Sequence, residues 1–194
     1  MGKKYMRRRN MGMFVCLEFV CLVLFSLGGL RAEAHSSKAW EKRLSDRTAT
    51  LWIDAQKLGN DIVLNVRGKL NVTRVERGLT HALNADRDVE EWLVNALNHY
   101  SSNRQDTRAK VKGRDVFVLR YRAIKFWNFD PSKLVIGEYS VTPEDILTRE
   151  EYWKRELSPG DTGAVSIAAP SLKPGQKVEL RYEDAQGTLE IPKK

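Results

Sequence analysis

The chain has 194 residues, with 33 Lys and Arg against 25 Asp and Glu, which gives a formal net charge of +8 at pH 7. Both cysteines, Cys16 and Cys21, lie within the first 34 residues, as do six of the basic and two of the acidic residues. Residues 35–194 therefore hold 27 basic and 23 acidic residues, a net charge of +4, and no cysteine. This composition excludes disulfides, thiol chemistry and cysteine-bound metals from that part, and it disfavours nucleic-acid binding.

The first 34 residues have the pattern of a secretory signal peptide. Basic residues from Lys3 to Arg9 precede a mostly apolar run from Met11 to Leu30, and Ala32-Glu33-Ala34 matches a cleavage site. We expect cleavage after Ala34 and export to the periplasm or the outside of the cell, with no stable membrane span afterwards. The alternative is a retained anchor, since the apolar run approaches the about 20 residues that span a bilayer. Glu18 inside the run favours cleavage.

Residues 35–47 are a polar lead-in, and we expect residues 48–194 to form a single domain with helical insertions. Strand-like alternation begins at Thr48, with Leu51 and Ile53 on one face and Trp52 on the other. The turn residues Gly59-Asn60 then predict a hairpin with residues 61–68.

Gly68 marks a bend before a third alternating run, in which Leu70, Val72 and Val75 face inward. The period then changes to that of a helix over about residues 86–100. Its apolar stripe consists of Val89, Trp92, Leu93, Ala96, Leu97 and Tyr100.

Residues 107–123 predict a hairpin around Gly113. A three-residue loop, Gly113 to Asp115, keeps charged and apolar side chains on separate faces, whereas a two-residue loop mixes them. The buried face then holds Ala109, Val111, Phe117, Leu119, Tyr121 and Ala123. The opposite face becomes a basic strip of Arg108, Lys110, Lys112, Arg120 and Arg122.

Two interpretations of this basic strip stay open. It is either a solvated sheet face that keeps the protein soluble or a docking face for an anionic partner in the cell envelope. Phospholipid, lipopolysaccharide and acidic polysaccharide are partners of that kind.

The aromatic stretch "KFWNFDPSK", residues 125–133, follows directly. The alternation slips near Ala123, so a bulge or a strand that crosses between sheets is expected there. We then predict that Phe126 and Phe129 belong to the core, on either side of a kink. Trp127, like Trp52, stays available for a surface role as a binding residue.

Beyond the Asp-Pro-Ser turn, the pattern predicts a short strand and then a helical region over about 143–155. Thr142, Pro143 and Asp145 form a capping-box start, and either one helix or two short turns could follow. Strands are expected at about 163–168, 177–183 and 187–191, with a turn at Ala185-Gln186-Gly187. Together, these predicted strands and helices indicate a mainly β (α+β) protein, an antiparallel β-sandwich with one or two packed helices.

Residues 108–192 resemble the immunoglobulin-like extracytoplasmic domains of bacterial secreted proteins and lipoproteins. The resemblance is carried by a valine-rich strand, a corner, a Pro-Gly turn and a final hairpin. The matching residues are Val116-Phe117-Val118-Leu119, Phe129-Asp130-Pro131-Ser132, Leu157-Ser158-Pro159-Gly160 and Val178-Glu179-Leu180-Arg181-Tyr182. This resemblance implies an immunoglobulin-like fold and an extracytoplasmic location, and it implies no reaction. The chain departs from the class in its helices and in lacking a lipoprotein cysteine motif.

No catalytic or nucleotide-binding motif appears in the sequence, and the three histidines, His35, His81 and His99, lack metal-ligand spacing. The paired carboxylates fall in predicted first turns of helices, where the helix dipole accounts for them. We therefore expect no catalytic residue, no metal and no cofactor.

The sequence favours a non-enzymatic binding or assembly module with an envelope protein or an anionic envelope component as partner. The alternative is a carrier of a small ligand or lipid, with its pocket between the Trp92 helix and the sheet. An envelope hydrolase, with two carboxylates across a cleft, is the weakest hypothesis.

Overall fold

The computed structural model describes residues 42–58, 62–75, 91–101 and 109–193, and it is mainly β, as predicted. Two four-stranded antiparallel sheets dominate it. The first sheet contains, in spatial order, β1 (Thr48–Ile53), β4 (Gly68–Val75), β5 (Arg114–Ala123) and β10 (Thr162–Pro170). The second contains β12 (Ala185–Glu190), β11 (Lys177–Tyr182), β7 (Leu134–Ile136) and β8 (Tyr139–Ser140). Smaller pairs are β2 (Gln56–Leu58) with β3 (Ile62–Leu64), and β6 (Trp127–Asn128) with β9 (Glu156–Leu157).

One apolar core joins the inward faces of both large sheets. In β1, Leu51 and Ile53 are fully buried while Trp52 is exposed, which confirms the predicted alternation. Leu70 and Val72 of β4 are in this core, also as predicted, whereas Val75 is buried on the opposite side of the sheet, in register with Val116, so its predicted inward position is wrong.

The strand that pairs with β1 differs from the predicted one. β1 pairs with β4, and the predicted hairpin partner, residues 61–68, contributes only the short β3, which pairs with β2. The predicted turn at Gly59-Asn60 lies outside the described residues. β4 is the better partner of β1 because all six residues of β1 pair with it, and because it brings Leu70 opposite Leu51 inside the core.

The predicted hairpin around Gly113 is wrong. Residues 109–111 form a helical turn, and β5 begins at Arg114 and pairs with β4 on one side and β10 on the other. Lys110 and Lys112 therefore do not lie on a strand, and Arg108 lies outside the described residues. β4 and β10 form the backbone hydrogen bonds along both edges of β5, so neither edge is open to a preceding hairpin strand.

The helix α1 (Glu91–Ser101) confirms the later part of the predicted helix, and the earlier part, including Val89, lies outside the described residues. Leu93 and Ala96 are buried against the outer side of the first sheet. The Ser166 hydroxyl of β10 donates a hydrogen bond of 2.8 Å to the carbonyl of Ala96, which fixes α1 to the sheet.

The region 143–155 forms two separate 3-10 turns, Pro143–Asp145 and Glu150–Tyr152, so a single helix is ruled out. The capping box of Thr142 and Asp145 is present. Between the turns, Ile146 bridges Ile167, and the Leu147 amide donates to the carbonyl of Ser166 at 2.8 Å. These bonds to the edge of β10 keep the backbone extended and prevent a continuous helix.

The last two strands meet in a tighter hairpin than predicted. Tyr182 pairs with Ala185, so the turn residues are Glu183 and Asp184 rather than 185–187. Glu183 has φ 52, a left-handed conformation that tight hairpins require.

In the aromatic stretch, the predicted core position of Phe126 and the predicted surface position of Trp127 are both wrong. Trp127 is fully buried, with its ring 5.3 Å from Phe129 and 5.8 Å from Tyr182 in edge-to-face contacts. Phe129 is buried, as predicted, but Phe126 is 59% exposed. The predicted slip of the alternation near Ala123 is wrong: the chain bends at 124–125, yet the buried residues Tyr121, Ala123, Trp127 and Phe129 all keep odd positions, so Trp127 falls inside and Phe126 outside.

Trp127 packs directly on the backbone of β4. A Cβ atom at Gly68 would lie 2.6 Å from Cε3 of the Trp127 ring, far inside contact distance. A glycine at position 68 is therefore required for the ring to reach the sheet, and the predicted bend at Gly68 proves to be a packing site.

This packing predicts that Trp127→Ala lowers the free energy of unfolding by about 3–5 kcal/mol, the cost of truncating a buried aromatic. The neighbouring aromatic is the matched control, and Phe126→Ala should change stability by no more than about 0.5 kcal/mol. Urea denaturation followed by circular dichroism measures both values. The packing would be contradicted if Phe126→Ala were the more destabilising change.

Candidate binding face

The outer side of the first sheet is half covered and half open. Under α1, the outward residues Thr73, Val118 and Ser166 are buried. Beyond the helix lie two rows of outward residues, each crossing the four strands. We call these eight positions the open face: Trp52, Lys69, Arg122 and Thr162 in one row, and Thr50, Asn71, Arg120 and Ala164 in the other.

The open face is cationic. Lys69 lies directly opposite Arg122 on neighbouring antiparallel strands, and Arg120 lies one row away. None of the eight positions is Asp or Glu. Like charges placed directly opposite each other destabilise a sheet, so the Lys69–Arg122 pair does not favour folding.

Aromatic rings hold two of these cations close to the surface. Nζ of Lys69 lies 5.2 Å from the ring centroid of Trp52, which is 41% exposed. The guanidinium of Arg120 lies 4.7 Å from the ring centroid of Trp92 on α1. Both distances are within the range of a cation–π interaction. Trp52 therefore helps to position the Lys69 ammonium, and Trp92 helps to position the Arg120 guanidinium.

The open face is concave where it meets α1. One hollow of about 230 Å³ is lined mainly by Lys69, Asn71, Arg120, Arg122 and Thr162. A second, of about 220 Å³, shares Arg120 and Thr162 with it and is walled by Trp92, Asn95 and Tyr152. The two hollows adjoin through Arg120 and Thr162 and are open to solvent, and we call them together the groove.

The structure brings together three of the seven binding residues that the sequence predicts. Arg120, Arg122 and Trp52 share the open face. Lys110 and Lys112 precede the other end of β5, and the eight steps along the strand from Arg114 to Arg122 span about 26 Å. Trp127 is in the core, so its predicted surface role is wrong, and Arg108 is not among the described residues.

Sequence reasoning missed Lys69, Asn71 and Thr162. The alternation of Lys69 and Asn71 with the buried Leu70 and Val72 was visible, and it places both polar side chains outward. β4 pairs with β5, and this puts Lys69 beside Arg122. The paired residues are more than 40 positions apart in the sequence, so no local pattern predicts this pairing.

A larger hollow, about 520 Å³, lies beside β12 and includes Thr48, Lys177, Thr188 and Glu190 in its lining. Lys177 and Glu190 form an ion pair at 2.5 Å across this region. Because the charges compensate each other, the hollow has no preference for one sign of ligand charge.

A buried carboxylate, Asp145, is the other group of chemical interest. It accepts hydrogen bonds from the Tyr139 hydroxyl at 2.6 Å, the Thr142 amide at 2.8 Å and the Arg114 guanidinium at 2.7 Å. Burial raises the pKa of this carboxyl, but the hydrogen bonds from Tyr139, Thr142 and Arg114 outweigh it and hold the pKa below its usual value. Its oxygens are thus used in joining β5, β8 and the turn Pro143–Asp145.

Within the part of the chain that the structure describes, no group of three or more His, Cys, Asp and Glu side chains is arranged to hold a metal ion. Among the same residues, no helix is both long and apolar enough to cross a membrane. Comparison with protein-family models, with curated proteins and with solved structures gives no match for this chain.

The Asp145 network predicts a pH-dependent contribution to stability. Because the folded-state pKa is depressed, the contribution is present above the unfolded-state pKa of about 3.9 and is lost as pH falls through the folded-state value. At pH 7, Asp145→Asn should lower the free energy of unfolding by about 1–3 kcal/mol. The difference from the unsubstituted protein should shrink below about pH 4.

Urea denaturation at several pH values measures this effect. Glu190→Gln is the matched control, because Glu190 is an exposed partner of Lys177 and should contribute less than about 1 kcal/mol at any pH. A loss for Asp145→Asn that stays constant from pH 7 to pH 3 would contradict the assignment.

Proposed function

We propose that this protein is an exported, non-enzymatic binding or assembly module of the cell envelope, which binds an anionic envelope component through its open face. The observation that carries the proposal is the grouping of Lys69, Arg120 and Arg122 on eight positions without a carboxylate. Such a grouping attracts anions and costs folding energy in the absence of one.

We further infer an immunoglobulin-like β-sandwich. Two antiparallel sheets with a common core support it, as does the corner at Asp130. There the carboxylate of Asp130 accepts from the amide and the hydroxyl of Ser132, at 3.0 and 2.7 Å, and caps the turn Pro131–Lys133. The amide of Asp130 donates to the hydroxyl of Tyr182 at 3.0 Å, which attaches the corner to the second sheet. The signal-peptide pattern of residues 1–34 supports export.

A binding role accounts for the charged groups better than catalysis does. Asp145, the buried carboxylate with a depressed pKa, already accepts from three residues and faces no groove of the open face. The hypothesis of a carrier predicts an apolar cavity beneath α1. Instead, Leu93 and Ala96 pack on the sheet, and the hollow beside the helix is open and lined by Asn95, Arg120 and Thr162 as well as aromatic rings.

Reversal of two charges on the open face tests the proposal. Arg120→Glu combined with Arg122→Glu should weaken retention on the isolated envelope fraction at low salt by at least about tenfold. Each reversed charge removes an attraction of about 1 kcal/mol or more and adds a repulsion, and 1.4 kcal/mol corresponds to tenfold. Retention is measured by co-sedimentation at increasing NaCl, and it should fall as salt screens the charges.

The matched control is Lys110→Glu combined with Lys112→Glu. These exposed cations carry the same charge but lie away from the open face, so their reversal should leave retention close to that of the unsubstituted protein. Equal losses for the two double variants would show that net charge, and not the open face, governs retention.

A further inference from the structure

We propose that the anionic partner of the open face is an acidic polysaccharide, with one carboxylate held among Lys69, Arg120, Arg122 and Thr162 and a sugar ring stacked on Trp52. This inference rests on the proposed function and specifies the chemical class of the ligand.

The hollow of about 230 Å³ has the donors that an isolated carboxylate needs. Arg120 and Arg122 alternate along β5, so their guanidinium groups border the same hollow, with Lys69 on the neighbouring strand. Guanidinium groups bind carboxylates through two parallel hydrogen bonds, which sets the orientation of the bound group. Asn71 and Thr162 add uncharged hydrogen-bonding groups at the rim, of the kind that hydroxyl groups of a sugar use.

Aromatic rings stand at both ends of the cationic centre. Trp52 lies on β1, in the same row as Lys69 and Arg122, and Trp92 and Tyr152 wall the groove on the side of β10. Nζ of Lys69 covers the Trp52 ring at 5.2 Å. When a sugar ring takes that position, the flexible Lys69 side chain turns toward the carboxylate, so that one movement serves both contacts.

The shape of the groove distinguishes a polysaccharide from a membrane surface. The row from Trp52 to Thr162 crosses four strands and so three inter-strand spacings of about 4.8 Å, which gives a track of about 14 Å, long enough for a short linear chain. Arg120 and Arg122 are exposed, Lys69 is half-buried, and all three line one hollow of this track, while Trp92 and Tyr152 line the adjoining one. A bilayer is broad and flat and cannot follow concave hollows of this width, whereas an extended chain can lie along them.

Binding of four probes by isothermal titration calorimetry, at one low salt concentration, tests the inference with the full folded protein. The probes are polygalacturonate, its fully methyl-esterified form, polyglutamate and vesicles containing phosphatidylglycerol. Polygalacturonate should bind at least about tenfold more tightly than the other three, a difference of about 1.4 kcal/mol. The ester lacks the charge, polyglutamate lacks the ring, and the vesicle lacks a chain that enters the groove.

Trp52→Ala separates stacking from charge. It should weaken polygalacturonate binding by about tenfold, in the range of stacking on an aromatic side chain, and weaken polyglutamate binding much less, by no more than the lost positioning of Lys69 costs. Phe126→Ala is the matched control, since Phe126 is an exposed aromatic outside the open face, and it should alter neither. Circular dichroism of both variants verifies that they are folded.

Three outcomes of these titrations would overturn the inference. Equal binding of polygalacturonate and polyglutamate, with no effect of Trp52→Ala, would overturn the polysaccharide and leave anion binding by the open face intact. Preferred binding of the vesicles would overturn it in favour of a lipid surface. Binding of none of the anionic probes would overturn both this inference and the anionic partner of the proposed function.

Discussion

The contact between Gly68 and the ring of Trp127 is the constraint on which the rest of this fold depends. A side chain at position 68 would collide with the indole, so the glycine lets the ring lie directly on the backbone of β4. Through Phe129 and Tyr182 the same ring reaches the second sheet. Gly68 also pairs with Ala123 on β5, and the next pair in that register is Lys69 with Arg122. Packing inside the core thus determines which charges meet on the outside.

The covering of the first sheet explains why the candidate site lies where it does. The helix α1 and the extended segment around Ile146 occupy one half of the outer side and the edge of β10. The other half keeps its charged and aromatic side chains accessible, and α1 gives it a wall. A flat sheet becomes a groove because only part of it is covered, and we propose that binding takes place in this groove.

Local patterns in the sequence predicted local structure well. Alternation in β1 and β4 identified the buried Leu51, Leu70 and Val72, and the helical stripe identified the Leu93 face of α1. The order of strands in the sheets carries no such local signal, because it depends on which distant strands match in length and inward residues. Local alternation therefore predicts a basic strip within one hairpin of residues 108–122, whereas in the structure Arg120 and Arg122 lie beside Lys69 of a distant strand. The alternation continues through the bend after Ala123 with the same parity, and this places Trp127 in the core and Phe126 outside, the reverse of what a slipped register predicts.

The most direct test of the account is to map the anion-binding surface by NMR, in a titration of the isotope-labelled protein with short oligogalacturonates. The indole N–H of Trp52 and the backbone amides of Lys69, Arg122 and Thr162 should shift together, while the buried indole N–H of Trp127 stays in place. The central claim would be contradicted if the shifts instead gathered around Thr188 and Lys177, in the hollow beside β12.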